Sequence, residues 1–170
     1  HSLPAINTTS FALCESAATD VNLTDYDQLI SFSYDVTWFD GNPFLGGDEL
    51  FNPTSVNLKN VLQLWARVAD DYCENAIQVP FTILPEPELD SVPPISVCQG
   101  ENIVLQDIVL NDAGNSMATY TFHASLPPDS TNMLDPMFFI PADSTTIYVH
   151  ATAGMCFDTL PIQIFVEDYP

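Results

Sequence analysis

The stretch Leu64-Trp65-Ala66-Arg67-Val68-Ala69-Asp70-Asp71-Tyr72-Cys73-Glu74-Asn75-Ala76-Ile77-Gln78-Val79-Pro80-Phe81-Thr82-Ile83 decides the fold. Leu64, Ala66 and Val68 alternate with Trp65 and Arg67, and Ile77, Val79, Phe81 and Ile83 alternate with Gln78, Pro80 and Thr82. A period of two gives each run one apolar and one polar face, as a half-buried strand requires. Asp70 to Asn75, between the runs, is polar and of hairpin length. The stretch reads as an antiparallel hairpin.

The hairpin occurs twice. Ile147-Tyr148-Val149-His150-Ala151 answers Leu64 to Val68, and Thr159 to Val166 answers Ala76 to Ile83, at an offset that stays at 83 or 84 residues throughout the repeat. Working outward, Phe11-Ala12-Leu13-Cys14 answers Ile95-Ser96-Val97-Cys98, and Val36-Thr37-Trp38 answers Tyr120-Thr121-Phe122. The cysteines follow the same period, with Cys14 and Cys73 separated by 59 residues and Cys98 and Cys156 by 58. Internal identity at this period means tandem copies of one unit. We read repeat 1 over 1–86, a Pro-rich acidic linker over 87–94 and repeat 2 over 95–170. Polyproline-like stiffness is expected of the linker.

Phe32, Tyr34, Val36 and Trp38 alternate with polar neighbours and predict another strand, as do Ile103 to Leu110, Ala118 to Phe122 and Met137 to Ile140. Turn residues separate them, at Asp40-Gly41-Asn42-Pro43, Gly46-Gly47-Asp48 and Asn111 to Asn115. No amphipathic helix is evident. Several short strands in about 80 residues, an aromatic mid-unit and paired cysteines argue for all-β architecture: two immunoglobulin-like β-sandwiches of seven strands, one disulfide each. Four cysteines permit three connectivities, and the repeat favours Cys14 with Cys73 and Cys98 with Cys156. Such small units bury little surface and benefit from a covalent clamp, which implies an oxidising, extracellular setting.

The balance of charge narrows the function. There are 23 Asp plus Glu against 2 Lys plus Arg, a net charge of -21. A chain so poor in cations cannot neutralise phosphates, so nucleic acid and anionic membrane surfaces are excluded as partners. With 46% hydrophobic and 11% aromatic residues the chain is nevertheless too apolar to be disordered. No run reaches the roughly 18 apolar residues of a membrane span, and His1 to Ser10 lacks the basic start and apolar core of a signal peptide. The expectation is a soluble segment that begins inside a longer protein.

The apolar-x-apolar-Cys entry, the mid-unit strand ending in an aromatic, and Thr146 to Asp158 before a closing alternating strand resemble the immunoglobulin-like repeats of very large surface and secreted proteins of Bacteroidota, gliding adhesins and other type IX secretion substrates among them. The resemblance covers nearly all of the second unit and most of the first, whose Asp25 to Gly47 portion departs from the pattern. It implies an extracellular, filamentous role with further copies of the repeat as partners in a homo-oligomer. It also implies no catalysis, and no cofactor is required.

Candidate sites are sparse. No Ser-His-Asp, His-Glu-x-x-His or Cys-x-x-Cys pattern is present. His123 and His150 fall at polar-facing strand positions and read as solvated residues, since their counterparts are Phe39 and Arg67. Calcium is the better ligand hypothesis, because hard divalent ions take several carboxylate and carbonyl oxygens. Acids cluster at Asp25 and Asp27, at Asp40 with Asn42, at Asp48-Glu49, and at Asn111, Asp112 and Asn115. The set of most interest is Glu86, Glu88 and Asp90 with Asp70 or Asp71. Trp65 and Tyr148 occupy matching outward positions and are candidate contact aromatics, for a second copy or for a sugar ring on a cell-surface glycan. A carbohydrate-binding module pair of a secreted hydrolase is therefore the alternative function.

Overall fold

The computed structural model describes residues 2–61, 63–114 and 117–168. His1 and Asn115, both singled out in the sequence, lie outside them. The chain divides between Leu84 and Pro85 into two units.

In the first unit, β1 (Phe11–Cys14), β2 (Val36–Phe39), β3 (Gln63–Ala69) and β4 (Glu74–Leu84) form one sheet in the order β1-β4-β3-β2. Leu64, Ala66 and Val68 are buried on β3, and Val79 and Phe81 on β4, with the period of two read in the sequence. Leu64, Ala66, Val79 and Phe81 pack with Trp38, Leu23, Ile30 and Leu58 into one core. In the second unit, β5 (Ile95–Cys98), β6 (Thr119–His123), β7 (Thr145–Ala153) and β8 (Cys156–Glu167) repeat the order as β5-β8-β7-β6. Phe122 replaces Trp38 and clusters with Ile147, Val149, Ala151, Ile162 and Ile164 of the same sheet and with Ile103 and Leu105 outside it.

β2, β3 and β4 make the three-stranded antiparallel face of an immunoglobulin-like sandwich. The first strand joins this face in parallel with the last: Phe11 pairs with Phe81 and Cys14 with Leu84, while Ile95 pairs with Ile164 and Cys98 with Glu167. The opposite layer is thinner than seven strands require. Among the described residues it is reduced to isolated bridges, among them Val21 to Val56 in one unit and Ile103 to Phe139 in the other. Each of these two precedes a short 3-10 turn, Leu23–Tyr26 or Leu105–Asp107, whose leucine is fully buried. The strand expected over Ile103 to Leu110 is this bridge and turn.

Phe32 departs from its expected place and stands 82% exposed. A helical turn, α1 (Asp27–Ile30), precedes it, and Ser31 Oγ accepts from the Ser33 and Tyr34 amides. This local capping breaks the extended backbone, so the strand begins only at Val36. Residues 88–90, read as linker, are bonded within the second unit. The Glu88 amide donates to Asp112 Oδ1 at 3.0 Å, the Leu89 amide to Asp158 Oδ2 at 2.8 Å, and Asp90 N to the Asn111 carbonyl. The first unit has the same device: Asn75, the counterpart of Asp158, donates to the Pro4 carbonyl at 3.0 Å. A leading segment is thus part of each unit, and for that reason the division falls at Leu84 rather than after Glu86.

Candidate functional site

The cysteines are the first feature to place. Cys14 ends β1 level with Leu84, at the finish of β4, whereas Cys73 immediately precedes β4 at Glu74. Eleven residues of extended strand separate those levels, about 35 Å at about 3.3 Å per residue. A disulfide needs Cα atoms within about 7 Å. The same holds in the second unit, where Cys98 lies level with Glu167 and Cys156 opens β8. Parallel pairing of first strand with last therefore puts the two cysteines of a unit at opposite ends of its sheet. The expected pairs, Cys14 with Cys73 and Cys98 with Cys156, do not form. Cys14 and Cys156 are disulfide-bonded, and Cys73 and Cys98 are free thiols.

On the outward face of each sheet the repeat places a second constellation. Phe39 lies opposite Trp65 on β3, and Thr37 opposite Arg67. The Arg67 guanidinium sits over the Phe39 ring at 4.9 Å, and Phe39 is only 6% exposed beneath it. In the second unit the same diagonal is His123 with His150, rings edge to face at 6.2 Å. A cation–π pair and an edge-to-face imidazole pair thus occupy one position of the repeat.

His123 is buried, contrary to the solvated place expected of it. Asn132 explains the difference. Its Nδ2 donates to the Pro127 carbonyl at 2.8 Å, which leaves Oδ1 to accept from the Asp129 amide and from His123 Nδ1. His123 Nε2 then accepts from the Thr121 hydroxyl at 2.9 Å. The network fastens the 125–132 loop over the strand. His150 bonds Thr159 Oγ1 at 2.9 Å and packs on Phe157. Its pKa is lowered, by burial first and by His123 second, against a smaller upward pull from Asp158.

The acids serve their own loops. Asp70 Oδ1 accepts from the Tyr72 and Cys73 amides, Asp40 Oδ1 from Asp48 N, Asp25 Oδ1 from the Asn22 side chain, and Asp112 Oδ1 from Glu88 N and Gly114 N. Among the described residues no three His, Cys, Asp or Glu side chains converge to hold a metal ion. Glu86, Glu88 and Asp90 lie on the leading segment of the second unit, and Asp70 and Asp71 on the β3–β4 turn of the first. Trp65 and Tyr148 keep matching register positions, opposite Gln78 and Pro161. Both are half-buried among strand neighbours. Lys59 and Arg67 are each within ion-pair range of a glutamate, Glu15 at 3.6 Å and Glu74 at 3.8 Å. Among the described residues no helix is long and apolar enough to cross a membrane.

No protein-family model matches this chain, and no curated protein sequence matches it. Solved structures share its outline. Extracellular domains 3–5 of Drosophila OTK are similar at 13% identity and TM-score 0.46, covering 78% of this chain and 51% of that one. A titin I-band fragment is similar at 12% identity and TM-score 0.37, covering 82% and 57%. The N-terminal eight Ig domains of Down syndrome cell adhesion molecule are similar at 12% identity and TM-score 0.37, covering 79% and 24%. This chain spans little more than half of the OTK and titin fragments. Likeness at these scores carries no functional argument, and the immunoglobulin-like architecture stands on strand order and register.

Proposed function

We propose that the chain is a load-bearing, two-copy segment of a giant secreted cell-surface protein that forms a stalk, fibre or hook-like filament for attachment, gliding or prey capture. The observation that carries this reading is the parallel pairing of first strand with last in both units. Tension applied through the two ends of a unit pulls these neighbouring strands in opposite directions along their length. Every rung of the ladder then bears load together, whereas an antiparallel pair pulled from one end opens rung by rung. A binding module has no need of this geometry at both copies.

Three further features support the reading. The oxidised Cys14 and Cys156 fit an extracellular setting. The surplus of acids keeps a long array soluble and discourages sheet edges from pairing. The outward face carries a clamped pair at the same place in both copies, Arg67 on Phe39 and His123 on His150, which is the pattern of a structural fixture rather than a unique pocket.

The test is the mass and shape of the native parent. Cell-surface protein run reduced on a low-percentage gel should show a band of several hundred kilodaltons or more, and negative-stain images of the same fraction should show thin filaments. A small globular parent with catalytic activity beside these units would support the carbohydrate-binding alternative instead.

A further inference from the structure

In the second unit the sheet ends at β6, and its outer edge is only partly covered. Leu134 N donates to the Phe122 carbonyl at 2.7 Å, and Ala124 N to the Asn132 carbonyl at 2.8 Å. Every second residue of an antiparallel strand bonds toward the same edge, so Tyr120 turns its N–H and C=O outward as well. No backbone partner meets them there among the described residues. The neighbouring segment has already left: after Leu134 it crosses to the opposite layer, where the Gln106 amide donates to the Pro136 carbonyl and Ile103 bridges Phe139.

That departure uncovers part of the core face. Tyr120 and Phe122 stand two residues apart and share one face of the strand, yet Phe122 is buried and Tyr120 is 38% exposed. With Gln106, Ile108, Leu110 and Pro136 they line a groove of about 350 Å³, a size within the range of ligand-binding clefts. The hollow beside Val36, the first unit's counterpart of Tyr120, takes polar side chains from Asp27, Gln28, Ser31, Ser33 and Asp35 instead. The two copies therefore differ at this place.

Charge selects the occupant. The second unit contains no Lys or Arg, because the two basic residues of the chain are Lys59 and Arg67. Asp107 lies between the lining residues Gln106 and Ile108, Asp135 precedes Pro136, and both acids are exposed. A second copy, itself at a net charge of -21, would bring like charge to this rim. We infer that the groove beside β6 docks an extended segment of a partner protein that carries lysine or arginine, adds a strand at Tyr120 and seats one apolar side chain against Tyr120 and Leu110. Backbone bonds align such a segment, while the groove and its acidic rim choose its side chains. The inference goes beyond the load-bearing reading and does not depend on it.

The test uses the whole chain and a blocked, fluorescein-labelled heptapeptide that alternates lysine with apolar residues, leucine at its centre, in about 0.15 M salt. Anisotropy should show saturable binding, and amide hydrogen exchange at Tyr120 should slow by at least about tenfold in the complex. Tyr120→Ser, a change at an exposed side chain, should weaken binding by at least about tenfold, and a peptide with glutamate in place of lysine should not bind. Methylating the leucine nitrogen of the lysine peptide keeps its charge and removes a strand bond, and should also cost at least about tenfold. Equal affinity for the methylated peptide would mean general attraction of cations to an acidic surface and would overturn the inference. So would the absence of saturable binding, or slowed exchange elsewhere with Tyr120 unchanged. Slowing at Tyr120 when the chain alone is concentrated would assign the groove to a second copy and overturn the cationic partner.

Discussion

Asp27 and Trp38 hold each other across the first core. The indole Nε1 donates to Asp27 Oδ1 at 2.8 Å, and Trp38 is 2% exposed. Burial raises the Asp27 pKa and Asp35 and Asp25 add to the rise, while the indole bond works against them. A carboxyl whose folded pKa is raised contributes stability below its unfolded pKa of about 3.8 that is lost as pH climbs through the folded value. Asp27→Asn, which still accepts the indole bond, should therefore be more stable than wild type at neutral pH and equal to it below about pH 3.8 in urea titrations. Trp38→Phe removes the donor and should cost about 1–3 kcal/mol at neutral pH. His150 behaves oppositely. Its lowered pKa favours the neutral ring in the fold, so its contribution is full above the unfolded value of about 6.5 and fades as pH falls below it. His150→Gln should lose that part of the acid sensitivity between about pH 7 and pH 5, read as the gap in melting temperature against wild type.

At the scale of elements, the strands were legible because half-burial imposes a period of two on every residue they contain. Leu64 to Val68, Val79 to Phe81 and their counterparts at Ile147 to Ala151 and Ile162 to Ile164 are buried in that rhythm. Local capping was harder to read. Ser31 ends α1 and diverts Phe32 outward, and the helical turns before it rest on a local bond, Asn22 accepting from the Thr24 amide, that leaves no periodic mark in the sequence. The cysteine partners were not legible at all. Their spacing records chain length, whereas the pairing depends on a parallel register between segments about 70 residues apart in sequence. His123 likewise reads as outward by alternation, and only the Asn132 loop buries it. Gly114 offers a test of the leading segment: an added Cβ would collide with the Glu86 carbonyl oxygen. Gly114→Ala should destabilise the second unit by about 1–3 kcal/mol and speed hydrogen exchange at the Leu89 and Ala113 amides, with the first unit unaffected.

For the whole molecule, charge and topology set the behaviour. With 23 acids and 2 basic residues, the latter both in the first unit, self-repulsion works against folding throughout the second. Raising the salt from about 0.01 M to about 0.5 M should increase the melting temperature by screening that repulsion; a fall would mean that specific ion pairs matter more. The central claim is that each unit resists tension by shear between its first and last strands. Single-molecule pulling from the two ends, with reductant present, tests it directly. The account predicts two separate unfolding events of about 25 nm each, one per unit, at forces well above those that open the same units through handles placed on both strands of the β3–β4 or β7–β8 hairpin. Smooth extension without discrete events, or equal force in the two pulling directions, would contradict it.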